Sequence, residues 1–151
     1  MRRQEKEITN REEIDDIIRG ARVCRLGLAD GNQPYVVPMN FGYAPPYLFF
    51  HCAQEGRKLE ILKKNAKVCF EFDHLEKLNK HAQACEWGAS YTSVIGEGQA
   101  GLLSDPEQKR SALACIMAQY SSRAFEFPDD ALARTAVIRV EIKTVSGKRA
   151  S

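Results

Sequence analysis

The chain has 151 residues and a formal net charge of +2, with 44% apolar and 28% charged residues. That length suits one domain with a real hydrophobic core and is too short for two comfortable ones. The small charge, spread over interleaved acids and bases, argues against a nucleic-acid partner, and no run approaches the ~20 apolar residues of a membrane span.

The opening MRRQEKEITNREEIDD has no apolar stretch after its arginines, so no signal peptide is expected. Thr9 and Asn10 followed by REEIDDIIRGA predict a helix start, with acids in the first turn, Ile14, Ile17 and Ile18 on one face, and Gly20 at the end. VCRLGLA (23–29) alternates as a strand, Asp30-Gly31-Asn32 turns, and PYVVPMNFGY (34–43) returns as the second arm of a hairpin. Pro38 inside that arm cannot donate to a ladder, so it marks an edge, a bulge or a stop in pairing. Ala44-Pro45-Pro46 leads into YLFFHCA, the third strand.

A helix over 56–65 follows, with Asn65 suited to a left-handed cap. AKVCFEFD (66–73) is a fourth strand, residues 74–90 read as polar and irregular, and YTSVIGEGQAGLLS (91–104) is a fifth strand with three glycines. Ser104 is placed to cap the helix DPEQKRSALACIMAQYS, with Pro106 in its first turn. After a loop, TAVIRVEIKTVSG (135–147) is the closing strand. Six short strands in mostly hairpin order with three helices do not make successive βαβ units. They predict a mainly β (α+β) chain built on a six-stranded antiparallel barrel with flanking or plugging helices. A single domain over 1–151 is expected, with a helix within 1–21, the barrel over 22–104, a helix within 105–122 and the closing strand and tail over 135–151.

Five cysteines are an odd number and form no CxxC pair, which points to a reducing cytoplasm without a disulfide framework. His74, His81 and Cys85 could form a loose cluster, but their spacing fits no standard zinc site, and no metal is expected.

The helix over 56–65 starts with an electrostatic conflict. Arg57 and Lys58 occupy its first turn, where the helix dipole disfavours cations by a few tenths of a kcal/mol each. An anion bound there resolves the conflict, because a phosphate can take the free backbone N–H groups and both cations together. Gly56 lets such a ligand approach the backbone. The alternative is a solvated Arg-Lys pair offset by Glu55 and Glu60. His51, two residues from Phe49 on the more polar face of its strand, points toward the same place. A core histidine bonded to a backbone carbonyl is its alternative.

The succession VVPMNFGY, YLFFHCAQEGRKLEIL, VCFEFD and CEWGASYTSVIGEGQA resembles the flavin-binding split-barrel superfamily. Within it, the chain looks like the branch related to pyridoxamine 5′-phosphate oxidase that includes the nitroimidazole-resistance (Nim) proteins. The resemblance implies a split barrel, paired as a homodimer, with FMN in the cleft between two barrels. It places Arg57 and Lys58 on the FMN phosphate and Val36, Val37, Pro38, Met39 and Asn40 along the isoalloxazine ring. His51, Cys52 and Ala53 would lie over the ribityl chain and ring edge, His51 being the candidate catalytic residue, and Trp87 would come from the partner subunit. Gly88-Ala89-Ser90-Tyr91 is smaller than the family pattern, which bears on pocket size, and Cys52 reads as a packed thiol. The function implied is FMN-dependent oxidation or reduction of a small molecule. The alternatives are a binder of FMN or another phosphorylated cofactor without turnover, and a haem-binding or haem-degrading role with His51, His74 or His81 as ligand.

Overall fold

The computed structural model describes all 151 residues. Eight strands and four α-helices follow in the order β1 (Glu7–Ile8), α1 (Arg11–Gly20), β2 (Cys24–Asp30), β3 (Gln33–Met39), β4 (Gly42–Ala44) and β5 (Tyr47–Ala53). Then come α2 (Arg57–Lys64), β6 (Lys67–Asn79), β7 (Gly88–Leu103), α3 (Pro106–Ala118), α4 (Asp129–Arg134) and β8 (Thr135–Ala150). Every pairing is antiparallel, in the order β3-β2-β6-β7-β8-β5-β4, with β1 on β8.

The mainly antiparallel sheet with flanking helices is the expected class, and the strand count is eight rather than six. The stretch 34–43 divides because pairing with β2 ends at Met39, one residue past Pro38, and the chain then crosses at Asn40 and Phe41 to pair with β5 instead. Proline at an outer strand is where its missing N–H does least harm. The other addition, β1, is a two-residue pairing with Lys148 and Gly147.

Residues 74–79 are strand, not irregular chain. Leu75 and Leu78 lie exposed on this arm, so it shows none of the inward alternation that marks a half-buried strand. Backbone pairing with 88–92 holds it, interrupted by a bulge between Leu75 and Lys77. Two cap readings and one loop also change. Asp105, not Ser104, caps α3 by accepting from the Gln108 N–H at 3.0 Å, and α3 ends at Ala118. Asn65 is extended, its side chain accepting from the Lys67 N–H at 3.1 Å. Within the loop expected before the last strand, α4 forms with Asp129 and Asp130 in its first turn.

The core is the barrel interior. Phe41, Phe50, Phe70, Phe72, Leu26 and Leu48 are fully buried, with Phe41 and Phe72 edge to face at 4.9 Å. Ile14 and Ile18 of α1 and Leu59, Ile61 and Leu62 of α2 join this cluster. The Gly-Glu-Gly of β7 is a packing device. A Cβ on Gly96 would lie 2.2 Å from the Phe70 ring, and one on Gly98 would lie 2.5 Å from the Glu141 carbonyl oxygen. All five cysteines are free thiols.

Candidate functional site

Strand β5 carries the site because its alternation sends Leu48 and Phe50 inward while Phe49 and His51 face out. Beyond Ala53 the chain turns through Gln54, Glu55 and Gly56 into α2. Gly56 is the N-cap, with φ 149° and ψ 165°, a conformation open essentially to glycine alone. A Cβ there would meet nothing within 4 Å, so backbone conformation rather than crowding selects glycine. No side chain caps the first turn of α2, leaving its N–H groups without an internal partner.

A cleft of about 540 Å³ opens at this point, lined by Pro38, Met39, Asn40, His51, Cys52, Ala53 and Lys58. Arg134 and Thr135 complete it from the α4–β8 junction. Seven of the residues singled out in the sequence therefore share one cavity, although they come from three separate elements. Lys58 is half-buried there and takes part in no ion pair; the neighbouring Glu60 is held by Lys63 at 3.1 Å. Burial pushes the Cys52 thiol pKa up, and the Lys58 charge only partly opposes it. Burial thus disfavours the thiolate form of Cys52.

The remaining expected residues lie elsewhere. The Arg57 guanidinium stacks over the Tyr35 ring at 4.4 Å, exposed and outside the cleft lining. Val37 packs against the core, whereas Val36 is 65% exposed on the opposite face of β3, beside a groove with Cys69 and Gln99. Trp87 sits in the turn joining β6 to β7, half exposed, its indole N–H donating to the His81 carbonyl at 2.6 Å. His51 registers with Val137, and Val137 with Leu103 at the far end of β7. Trp87 is thus removed from its own His51 by the whole 16-residue strand, roughly 50 Å of contour. No three histidine, cysteine or acidic side chains gather as metal ligands.

Arg134 and Thr135 escaped the sequence reading. Arg134 holds Asp130 at 3.3 Å across one helical turn, and in sequence it is one arginine among many. Only the pairing of β8 with β5, which sets Thr135 opposite Ala53, brings it to the cleft.

The sequence model of the pyridoxamine 5′-phosphate oxidase family matches residues 10–149. A candidate 5-nitroimidazole antibiotic resistance protein from Bacteroides thetaiotaomicron is 35% identical, with 95% of this chain and 86% of that one aligned and a TM-score of 0.86. An FAD-binding protein from Mesorhizobium loti is 26% identical over 94% and 96% of the two chains, with a TM-score of 0.67. An FAD- and haem-binding protein from Mycobacterium smegmatis shares the fold, with a TM-score of 0.87 at 20% identity over 97% and 74%. No curated protein sequence matches the chain.

Proposed function

The chain belongs to the pyridoxamine 5′-phosphate oxidase family, and from that premise we propose that it is a flavin-binding oxidoreductase acting on a small molecule. One observation carries the reading. A half-buried lysine without a counter-ion faces a cleft beside an uncapped helix start, where the residues on hand suit a terminal phosphate.

FMN fits this donor set. Lys58 and Arg134 supply two cations, α2 supplies free N–H groups at Gly56-Arg57-Lys58, and Pro38, Met39 and Asn40 offer a strand edge for the ring. FMN is proposed over FAD because the cleft offers one anion cradle and the sequence has no second, GxGxxG-type one. When bound, the flavin supplies the electron transfer. The protein binds and orients it: Lys58 neutralises phosphate charge, Cys52 lines the cleft as a small apolar side chain, and His51 stands at the cleft mouth, where its ring can contact the flavin edge or the substrate. The site would be completed in a homodimer, because Trp87 does not line its own cleft and Val36 and Ile95 are exposed apolar side chains.

The test is spectroscopic. The purified protein should bind FMN with flavin absorption bands, and anaerobic NADH or NADPH should bleach them until an acceptor is added. A flavin that stays oxidised under excess of both would favour binding without turnover, and a Soret band would favour haem.

A further inference from the structure

We infer that a second groove, under α3, binds planar aromatic carboxylates. It runs along the outward side chains of β5 on from His51, with a volume of about 420 Å³, and is lined by Tyr47, Phe49, Leu103, Ala112, Cys115 and Arg139 among others. A volume of that size suits a small ligand. The walls are specific. The Tyr47 and Phe49 rings stand 6.2 Å apart and tilted, offering faces to a flat ring, and Ala112 is a small buried residue of α3.

The charge decides the ligand class. Arg139 is the cross-strand partner of Phe49 and lies over the Tyr47 ring at 4.9 Å. It makes no salt bridge: the next acid on its strand, Glu141, is held by Lys143 at 3.0 Å. Glu107 on the groove rim is turned to Arg110 at 2.6 Å. A half-buried guanidinium stacked on an aromatic, with no carboxylate of its own, is a fork for an external one. An aromatic acid would satisfy it while its ring fills the space against Tyr47 and Phe49. Phe49 and His51 are neighbours on one strand face, about 7 Å apart at Cα. The groove is therefore placed as a substrate subsite beside the flavin cleft, a role that rests on the function proposed above. Binding of the acid does not depend on it.

Calorimetric titration of the full chain, with and without added FMN, tests this with sodium 2-naphthoate and the neutral 2-naphthalenemethanol. The acid should bind at least tenfold more tightly than the alcohol in both preparations. Arg139→Gln should weaken the acid about ten- to a hundredfold and leave the alcohol unchanged, with Arg139→Lys recovering part of the loss. Melting temperature checks that both variants fold; if neither does, the acid–alcohol difference in the parent decides. Equal affinity for acid and alcohol, an indifferent Arg139→Gln, or naphthoate competing with FMN would each overturn the groove. Failure of FMN to bind at all would sink the flavin reading and leave the aromatic-acid site standing.

Discussion

Lys58→Ala and Arg57→Ala, adjacent in sequence, should behave differently, because the structure gives the two cations different partners. In the ligand-free protein Lys58 lies against the positive end of α2 with no ion pair, so its removal gains a few tenths of a kcal/mol. At about 2–4 °C per kcal/mol for a chain of this size, the melting temperature rises by about 1 °C. Arg57 gains roughly 0.5–1 kcal/mol from stacking on Tyr35. That outweighs the dipole cost, so Arg57→Ala melts slightly lower. With FMN the order of importance is fixed by geometry. Lys58 already lines the cleft, and losing one charge-assisted hydrogen bond costs about 1.5–3 kcal/mol, or ten- to a hundredfold in affinity. Arg57 must give up Tyr35 to reach the same phosphate, so its net contribution falls to about 1–2 kcal/mol. Calorimetric titration with FMN, beside thermal melts of the apo variants, reads both quantities. If Lys58→Ala binds FMN within about threefold of the parent, or if Arg57→Ala is the more damaging, the phosphate site at this helix start is wrong.

Gly56→Ala should destabilise the protein by about 1–3 kcal/mol although its methyl meets open space, because φ 149° is strained for any side chain; a melt unchanged from the parent would refute this. The Tyr43 phenol is pushed up to about 12 by burial, reinforced by its 2.6 Å hydrogen bond to Asp15. The folded protein therefore keeps a proton that the unfolded chain releases near pH 10.0, so stability falls as pH rises from there toward 12. Denaturant melts of Tyr43→Phe should lack that part of the alkaline decline, and parallel pH profiles for the two proteins would count against it. Sedimentation should give twice 17.0 kDa for the flavin-bound protein, and a concentration-independent monomer with flavin bound would contradict the shared cleft.

The parts of the fold legible in the sequence are those where burial imposes a period. Leu48 and Phe50 inward against Phe49 and His51 outward made β5 readable, and the isoleucines of α1 did the same for that helix. What stayed hidden were elements held mainly by backbone pairing. The arm 74–79 pairs with β7 on either side of the bulge at Glu76 while Leu75 and Leu78 remain in solvent, so its side chains carry no strand signal. The division of β3 from β4 was half visible: Pro38 announced a limit to pairing, but only the registers of β2 and β5 show the chain leaving one for the other.

The same distinction explains what was legible in the site. Lys58 was found because it violates a local rule, a cation where the helix dipole disfavours one, and such a violation is visible without any fold. Arg134 violates nothing. It sits in the last turn of α4, where a cation belongs, and answers Asp130 one turn earlier. Its place at the cleft comes from a tertiary pairing, Thr135 opposite Ala53, between residues 82 positions apart. A cation that is locally content but tertiarily convergent leaves no trace in sequence. The two should therefore separate on mutation: Arg134→Ala loses a favourable helix terminus and an exposed ion pair, so the apo protein is slightly less stable, whereas Lys58→Ala makes it slightly more so. If both contribute to one phosphate, the double variant should weaken FMN by less than the product of the single effects.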